Sequence, residues 1–443
     1  MREAVYPIHA DRPHTLIKTR TWPFLLLFLL TLNSAAFAFD PDDPPDTRIP
    51  LTPFLTLGST AALQYEQARN SDLDAAHADD VSHLQPELSF AFSFDPHPRL
   101  QAFLDAELAW EWEWAEGAKN LRDVHLEITE AFLLLKERLD GRFYFQVGRQ
   151  PFEDDRQWLL GEELDALRAF YRWPRGWLEL SISRLDLLKR DLLDGRSEVR
   201  TNNYLIFGNT ALGVEDDAIE IAAYALVQRD ASDAQENPVF LGFHADGALW
   251  EQAESWLDVA LVRGRDGLRR VRGVGLDVGS TYTFERAWAP SLSLGYAFGS
   301  GDDDPDDGVD RRFRQSGLQD NEGEFNGVQS FKYYGVLFEP ELQNLEILTY
   351  GVGLRPTEAS SVDLVAHHYR QHRASDTLSE SGLETDPNGR SRNVGGEVDL
   401  IAGFEGAQNI AWKIVLGYFI PGHAFPTGSD RGFLASAEVQ YQF

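Results

Sequence analysis

The sequence predicts an all-β fold, a transmembrane antiparallel β-barrel of about 18 strands. Apolar and polar residues alternate with a period of two in segment after segment, up to the last residue. After residue 38 no apolar run approaches the ~20 residues that a membrane-spanning helix needs. The chain has 443 residues without a linker that divides it into blocks. A chain that spans lipid without helices must close its strands into a ring, because open sheet edges are not tolerated there.

The N-terminal residues 1–38 have the pattern of a secretory signal peptide. Arg12, Lys18 and Arg20 precede the apolar run Trp22–Leu32, and an Ala-Phe-Ala cleavage site ends at Ala38. The run is too short for a membrane anchor, which is the alternative interpretation. Residues 39–52 are rich in Pro and Asp, which predicts a disordered lead. Residues 53–443 are predicted to form the barrel.

The strand from Leu100 to Trp114 shows the alternation most clearly, with one apolar face and one charged face. The next strand changes phase near Thr129, which predicts a β-bulge. The last strand ends on Phe443, a feature typical of outer-membrane assembly signals. The long connections 66–82, 186–202, 299–330 and 371–393 are polar and charged, so we expect external loops there.

Composition and motifs limit the chemistry. The net charge of −31 excludes nucleic acid as a partner, and the absence of Cys excludes a disulfide framework. No G-x-S-x-G, H-E-x-x-H or P-loop motif occurs, so we predict no enzyme activity and no cofactor. Asp302, Asp304 and Asp306 are weak calcium candidates, but they lack the EF-hand spacing and are better explained as a solvated acidic loop. The sequence therefore predicts no metal site.

Arginine is the candidate binding residue, because its guanidinium group pairs with carboxylates in a fork geometry. If apolar faces point outward, the lumen receives a set of basic residues, namely Arg168, Arg172, Arg355, Arg373 and Lys413. The same rule sends many carboxylates inward, so each arginine also has the simpler interpretation of a wall ion pair. The stretch from Arg142 to Arg172 combines two strands with a charged turn, as expected of a pore constriction.

Within that stretch, three runs resemble the alginate export family of outer-membrane barrels. They are Gly148-Arg149-Gln150, Asp154-Asp155-Arg156-Gln157-Trp158 and Leu164-Asp165-Ala166-Leu167-Arg168. Three further runs, 294–302, 339–345 and 417–422, are similar to the family as well. The resemblance implies an 18-stranded barrel that exports alginate through an electropositive constriction gated by a periplasmic loop. It implies a constriction formed by Arg149, Arg156, Arg168, Glu162 and Asp165, with Arg355, Arg370 and Arg373 on the opposite wall. Arg172 is added as a candidate because the alternation places it on the lumen side.

Two functions follow as hypotheses. The first is an outer-membrane porin that exports an anionic exopolysaccharide, alginate or a similar polyuronate, as a monomer in outer-membrane lipid, with periplasmic export machinery as a partner. The second, motivated by the inward carboxylates, is a general or cation-preferring porin for small solutes or a neutral polysaccharide. An outer-membrane lipase is a third class, for which the sequence shows no Ser/His pair near a barrel rim.

Overall fold

The computed structural model describes residues 47–443, except positions 78, 116–119, 137–141, 174–175, 194–201, 215–218, 231–235, 251, 305 and 407–408. The predicted signal peptide and the lead up to residue 46 lie outside the described residues. Residues 49–52, the end of the predicted lead, form a short strand that pairs with the first barrel strand.

Every regular element in the described part of the chain is a β-strand. In chain order these strands are β1 Ile49–Thr52, β2 Leu55–Arg69, β3 Val81–His97, β4 Leu100–Ala115, β5 Leu121–Lys136, β6 Phe143–Glu153, β7 Gly161–Trp173, β8 Gly176–Arg184, β9 Asn202–Val214, β10 Ile219–Asp230, β11 Glu236–Trp250, β12 Ala253–Asp266, β13 Arg269–Thr283, β14 Ser291–Gly299, β15 Val309–Asp310, β16 Glu322–Gly323, β17 Phe331–Lys332, β18 Leu345–Thr357, β19 Ser360–Gln371, β20 Asn393–Gly406, β21 Ile410–Pro421 and β22 Gly432–Gln442.

The long strands form a closed antiparallel ring. Within the described residues, each strand from β2 to β14 pairs with the next, β14 pairs with β18, and β18 to β22 continue in order. Strand β22 pairs with β2, and the backbone of Phe443 exchanges hydrogen bonds of 3.0 and 2.8 Å with Ser59. The part of the chain that the structure describes therefore forms a ring of eighteen strands, thirteen before the longest loop and five after it, which confirms the predicted fold class.

The alternation predicted from sequence separates the two faces of the wall. On β14 the side chains of Leu292 and Leu294 are exposed, whereas those of Ser291 and Ser293, which alternate with them, are buried. Exposed leucines, valines and aromatics of this kind recur around the ring and form the surface that faces lipid. The predicted bulge is also present, because Asp105 pairs with Glu130 and Ala106 pairs with Ile128, which leaves Thr129 as the extra residue.

The connections differ at the two ends of the ring. One end carries short turns, such as 98–99 and 358–359, together with strand β1 and Phe443. The other end carries the loops 300–344 and 372–392. In outer-membrane barrels the short turns face the periplasm and the long loops face the outside. Among the described residues, no helix has the length and apolar character needed to cross a bilayer.

The largest buried apolar cluster lies inside the ring, and loop 300–344 contributes much of it, including Phe313, Leu318, Phe338 and Leu342. The sequence predicts an external loop over 299–330. The segment does leave the wall at the long-loop end, but its greater part does not stay outside the barrel, which corrects the prediction. The loop folds into the lumen because its aromatic and aliphatic side chains are removed from water there.

Candidate functional site

The hairpin β6–β7 leaves the barrel wall and bends into the lumen. Strand β6 pairs with β5 only as far as Arg149, yet it continues to pair with β7 up to Glu153. Gly148 lies at the point of departure with φ of 127°, and a Cβ atom there would overlap the carbonyl oxygen of Ala131. Glycine adopts this backbone conformation without steric cost, which explains why the bend occurs at this position.

The segment 186–193 fills the place that the hairpin vacates beside β5. Asp191 forms an antiparallel bridge with Glu127. The N–H of Ile128 donates to the carbonyl of Arg190 at 3.2 Å, and the N–H of Leu192 donates to the carbonyl of Leu126 at 2.8 Å. The segment therefore satisfies the backbone groups that β5 would otherwise leave open toward lipid.

Arg149 and Asp165 join the hairpin to this segment. They lie on the side of β6–β7 that carries the exposed Val147 and Leu167, which is the outer side of the wall. The Arg149 guanidinium donates to both oxygens of Asp165 at 3.1 and 3.0 Å and to the carbonyls of Ile128 and Leu188. The structure thus places this pair outside the pore lining, because the bend turns the hairpin's outer side against the segment 186–193.

Arg168 does face the lumen, where its guanidinium group forms a bidentate ion pair with Glu179 on β8. Nε and Nη2 donate to the two Glu179 oxygens at 2.8 and 2.9 Å, and Nη1 donates to the carbonyl of Pro151 at 2.7 Å. The guanidinium carbon lies 4.1 Å from the centroid of the Phe152 ring. Arg172 lies four residues further along β7 on the same face, 6.0 Å from the Tyr144 ring.

Arg156, at the tip of the hairpin, reaches across the lumen to strands β12 and β13. Its guanidinium carbon lies 4.0 Å from the Trp256 ring centroid and 3.9 Å from that of Tyr333. Its Nη2 atom lies 3.9 Å from a carboxylate oxygen of Asp277. A cation between two aromatic faces and beside a carboxylate is held by cation–π attraction and by charge.

Loop 300–344 closes over this tip and is fixed to the walls by buried hydrogen bonds. Trp158 Nε1 donates to the Tyr334 hydroxyl at 3.0 Å, and that hydroxyl donates to Asp277 at 2.8 Å. On the other side of the lumen, the backbone N–H groups of residues 337 and 338 donate to the two oxygens of Glu397 at 2.6 and 3.0 Å. Hairpin and loop together narrow the lumen that the described strands enclose.

Lys332 and Asp310, two charged groups of the loop, are both paired. Burial alone would lower the pKa of Lys332, but Glu339, Asp320 and Glu322 raise it above its ordinary value. Burial alone would raise the pKa of Asp310, but hydrogen bonds from Arg312, reinforced by its charge, hold it below its ordinary value. Both shifts favour the charged forms, so the docked loop is stabilised by ion pairs at neutral pH.

Other predicted site residues are dispersed. Glu162 lies 3.7 Å from Arg190 of the wall-filling segment. Arg355 lies at the short-turn end, where it donates to the Glu358 carbonyl at 3.0 Å. Arg370 is exposed on the outer face of β19, and Arg373 is half-exposed in the external loop, 3.7 Å from Asp303. The structure therefore does not gather these three arginines opposite the hairpin.

The acidic loop residues do not converge on a common point. Asp302 pairs with Arg269 at 2.7 Å and with Arg311 at 3.3 Å, whereas Asp304 and Asp306 lie in exposed turns. In the described part of the chain they do not form a set of closely spaced ligand atoms.

Two features of the lumen were missed in the sequence. The first is the anchoring set formed by Tyr334, Trp256, Asp277 and Glu397. The apolar run 331–338, which directly follows the predicted external loop 299–330, was the available signal, since a solvated segment does not need such a run. The second is a run of like charges on β4–β5, where Asp105 lies opposite Glu130 and Glu107 lies opposite Glu127. Like charges directly opposite are destabilising unless a positive partner offsets them.

A closed ring of eighteen antiparallel strands, an apolar outer face and a lumen narrowed by inward-folded elements define an outer-membrane porin. Solved Pseudomonas aeruginosa structures share this fold. OccK7 (OpdD) is 11% identical, with a TM-score of 0.57 over 88% of this chain and 99% of that one. OccK11 (OpdR) is 13% identical, with a TM-score of 0.56 over 88% and 96%. The outer-membrane protein OprD is 10% identical, with a TM-score of 0.54 over 88% and 93%.

The alginate export family model matches residues 54–433, nearly the whole barrel. The alginate production protein AlgE of Azotobacter vinelandii is 24% identical over 177 residues, which are 35% of this chain and 36% of that protein. The alignment thus spans about a third of the length of the curated relative. The chain belongs to the alginate export family, and its place is the bacterial outer membrane.

Proposed function

We propose that this porin exports an anionic, alginate-like exopolysaccharide and that the observed arrangement is its closed state. The observation that carries the proposal is the guanidinium of Arg156, held between Trp256 of the barrel wall and Tyr333 of loop 300–344 and beside Asp277. Membership of the alginate export family supports the choice of polymer.

This arrangement suits a polyuronate chain. When loop 300–344 moves away, Arg156 loses the Tyr333 ring and retains Trp256 and Asp277. A uronate carboxylate then competes with Asp277 for the guanidinium fork, while a sugar ring packs against the exposed indole face. Each contact is single and replaceable, so the polymer enters readily and also leaves. No covalent step is required.

The same proposal includes the oligomeric state of the barrel and the end at which the polymer enters. The ring closes through β2 and β22, so the long strands that the structure describes form no open sheet for association, and we expect a monomer in outer-membrane lipid. The polymer enters at the short-turn end, where periplasmic export machinery delivers it.

The test is single-channel conductance of the refolded protein in a planar bilayer with mannuronate oligomers added. We expect anion preference and oligomer block that weakens in Arg156→Gln. Arg370→Gln is the matched control, because it removes the same charge from the outer face. Cation preference without block in the wild type, or equal block in the two variants, contradicts polyuronate export through this site.

One observation favours a second function, a cation-preferring porin for small solutes or a neutral polymer. The lumen wall at β4–β5 carries the facing carboxylates described above, and Glu87 on β3 is a further buried lumen carboxylate beside them. Such a strip attracts cations and repels a polyanion. The reversal potential under a salt gradient separates the two functions, because its sign reports whether anions or cations carry the current.

A further inference from the structure

Four metal-ligating side chains converge on the lumen face of β3, β4 and β5 near the long-loop end. His83 lies directly opposite Glu113 in the sheet register, and Glu111 and His125 lie beside them on the same face. Nδ1 of His83 is 3.8 Å from Glu111 and 3.9 Å from Glu113. Nε2 of His125 is 3.6 Å from the second oxygen of Glu111. The ligand atoms of His83, Glu111 and Glu113 all lie within 4.8 Å of one another.

These spacings are close to those of a metal coordination shell. With bonds of about 2.0–2.2 Å, neighbouring ligands of a tetrahedral Zn²⁺ ion lie roughly 3.3–3.6 Å apart. The group of His83, Glu111 and Glu113 has ligand atoms within 4.8 Å of one another, and His125 adjoins it through the second oxygen of Glu111 at 3.6 Å, so the side chains must draw together around an ion to reach that range. Two imidazoles and two carboxylates form a donor set for zinc or a similar transition metal, whereas calcium and magnesium prefer oxygen donors alone.

Asp191 supplies an independent indication. Its carboxylate lies 3.3 Å from Nδ1 of His125 and is itself fixed by backbone N–H groups of Leu126 at 3.2 Å and Leu193 at 2.8 Å. Metal-binding histidines generally donate their second ring N–H to a carboxylate in this way, which directs the other nitrogen toward the metal. In the described structure, Nε2 of His125 is buried and accepts or donates no hydrogen bond.

We propose that His83, Glu111, Glu113 and His125 bind a divalent transition-metal ion, with Zn²⁺ as the probe, and that Asp191 orients His125. The site is independent of the transported solute. It also has a structural consequence, because Asp191 belongs to the segment 186–193 that completes the wall beside β5. A bound ion fixes His125 and its Asp191 partner, and so it holds this segment in the wall.

The test is Zn²⁺ binding by isothermal titration calorimetry at neutral pH on the folded, detergent-solubilised barrel. Wild type is expected to bind one Zn²⁺ per chain, and His83→Ala with His125→Ala is expected to abolish that binding. His97→Ala is the matched control, because this exposed histidine lies at the short-turn end. Asp191→Asn is expected to weaken affinity by about 10–100-fold through orientation alone. Heat-modifiable electrophoretic mobility verifies that every variant is folded.

Co²⁺ substitution adds a spectroscopic readout. A four-coordinate nitrogen–oxygen site gives intense visible absorption bands that disappear with the histidines, and Glu113→Gln provides a second variant of nearly unchanged shape. The competing explanation is an ion cluster in which protonated His83 and His125 neutralise the two glutamates. Absence of saturable Zn²⁺ binding to the folded wild type supports that explanation and overturns the proposal, as does unchanged binding in the double-histidine variant.

Discussion

Glu397 on β20 holds loop 300–344 by its backbone, so we expect Glu397→Gln to open the lumen. The side chain is 1% exposed and receives two backbone N–H groups, at 2.6 and 3.0 Å. Glutamine offers one acceptor oxygen in place of two. At least one buried backbone N–H then loses its acceptor, at a cost of about 1–3 kcal/mol. The ratio of open to closed channels should rise roughly 5–150-fold.

The assay is single-channel recording in planar bilayers, which gives the open probability directly. Glu107→Gln is the matched control, since Glu107 is also a lumen carboxylate but lies on β4, among the acidic groups of β3 and β5. Its open probability should equal that of the wild type. If both folded variants show the same open probability, Glu397 does not hold the loop closed, and the reasoning from its two hydrogen bonds is refuted.

Three further predictions concern the hairpin and the loop. Gly148→Ala should prevent the inward bend and so lower the yield of folded barrel, measured by heat-modifiable electrophoretic mobility. The control is Gly308→Ala, which should lower that yield far less, because φ is also positive there but no atom lies within 4 Å of an added Cβ. Arg149→Ala leaves the buried Asp165 without its cation, so urea titration should show a loss of about 3–5 kcal/mol in the free energy of unfolding, and Arg149→Lys should restore only part of it. The pKa of Asp310 is lowered in the docked loop, so its ion pairs stabilise docking fully above the pKa of the undocked carboxyl, about 3.9, and this stabilisation is lost as pH falls through the lowered pKa. Channel conductance should therefore rise in acid below about pH 4. Asp310→Asn should remove that pH dependence.

The alternation of neighbouring residues in the sequence was sufficient to predict the barrel architecture. The period-two alternation assigns each strand residue to one face, and each strand needs only its two neighbours, so the count of strands and the face of Arg168 could be read directly. The bulge at Thr129 was visible for the same reason, because one extra residue reverses the phase of everything that follows it. The resemblance in the stretch 148–168 correctly indicated the family.

The site was decided by contacts between segments far apart in the chain. The alternation predicts that Arg149 lies on the outer side of β6. It does not show that the hairpin bends away at Gly148 or that residues 186–193 cover that side. The sequence likewise predicts an external loop over 299–330, whereas burial of its aromatic side chains draws the loop inward. The approach of His125 to Asp191 also depends on that covering segment. Strand periodicity is a property of neighbouring residues, while lumen filling depends on which distant surfaces exclude water together, and only the folded ring determines that.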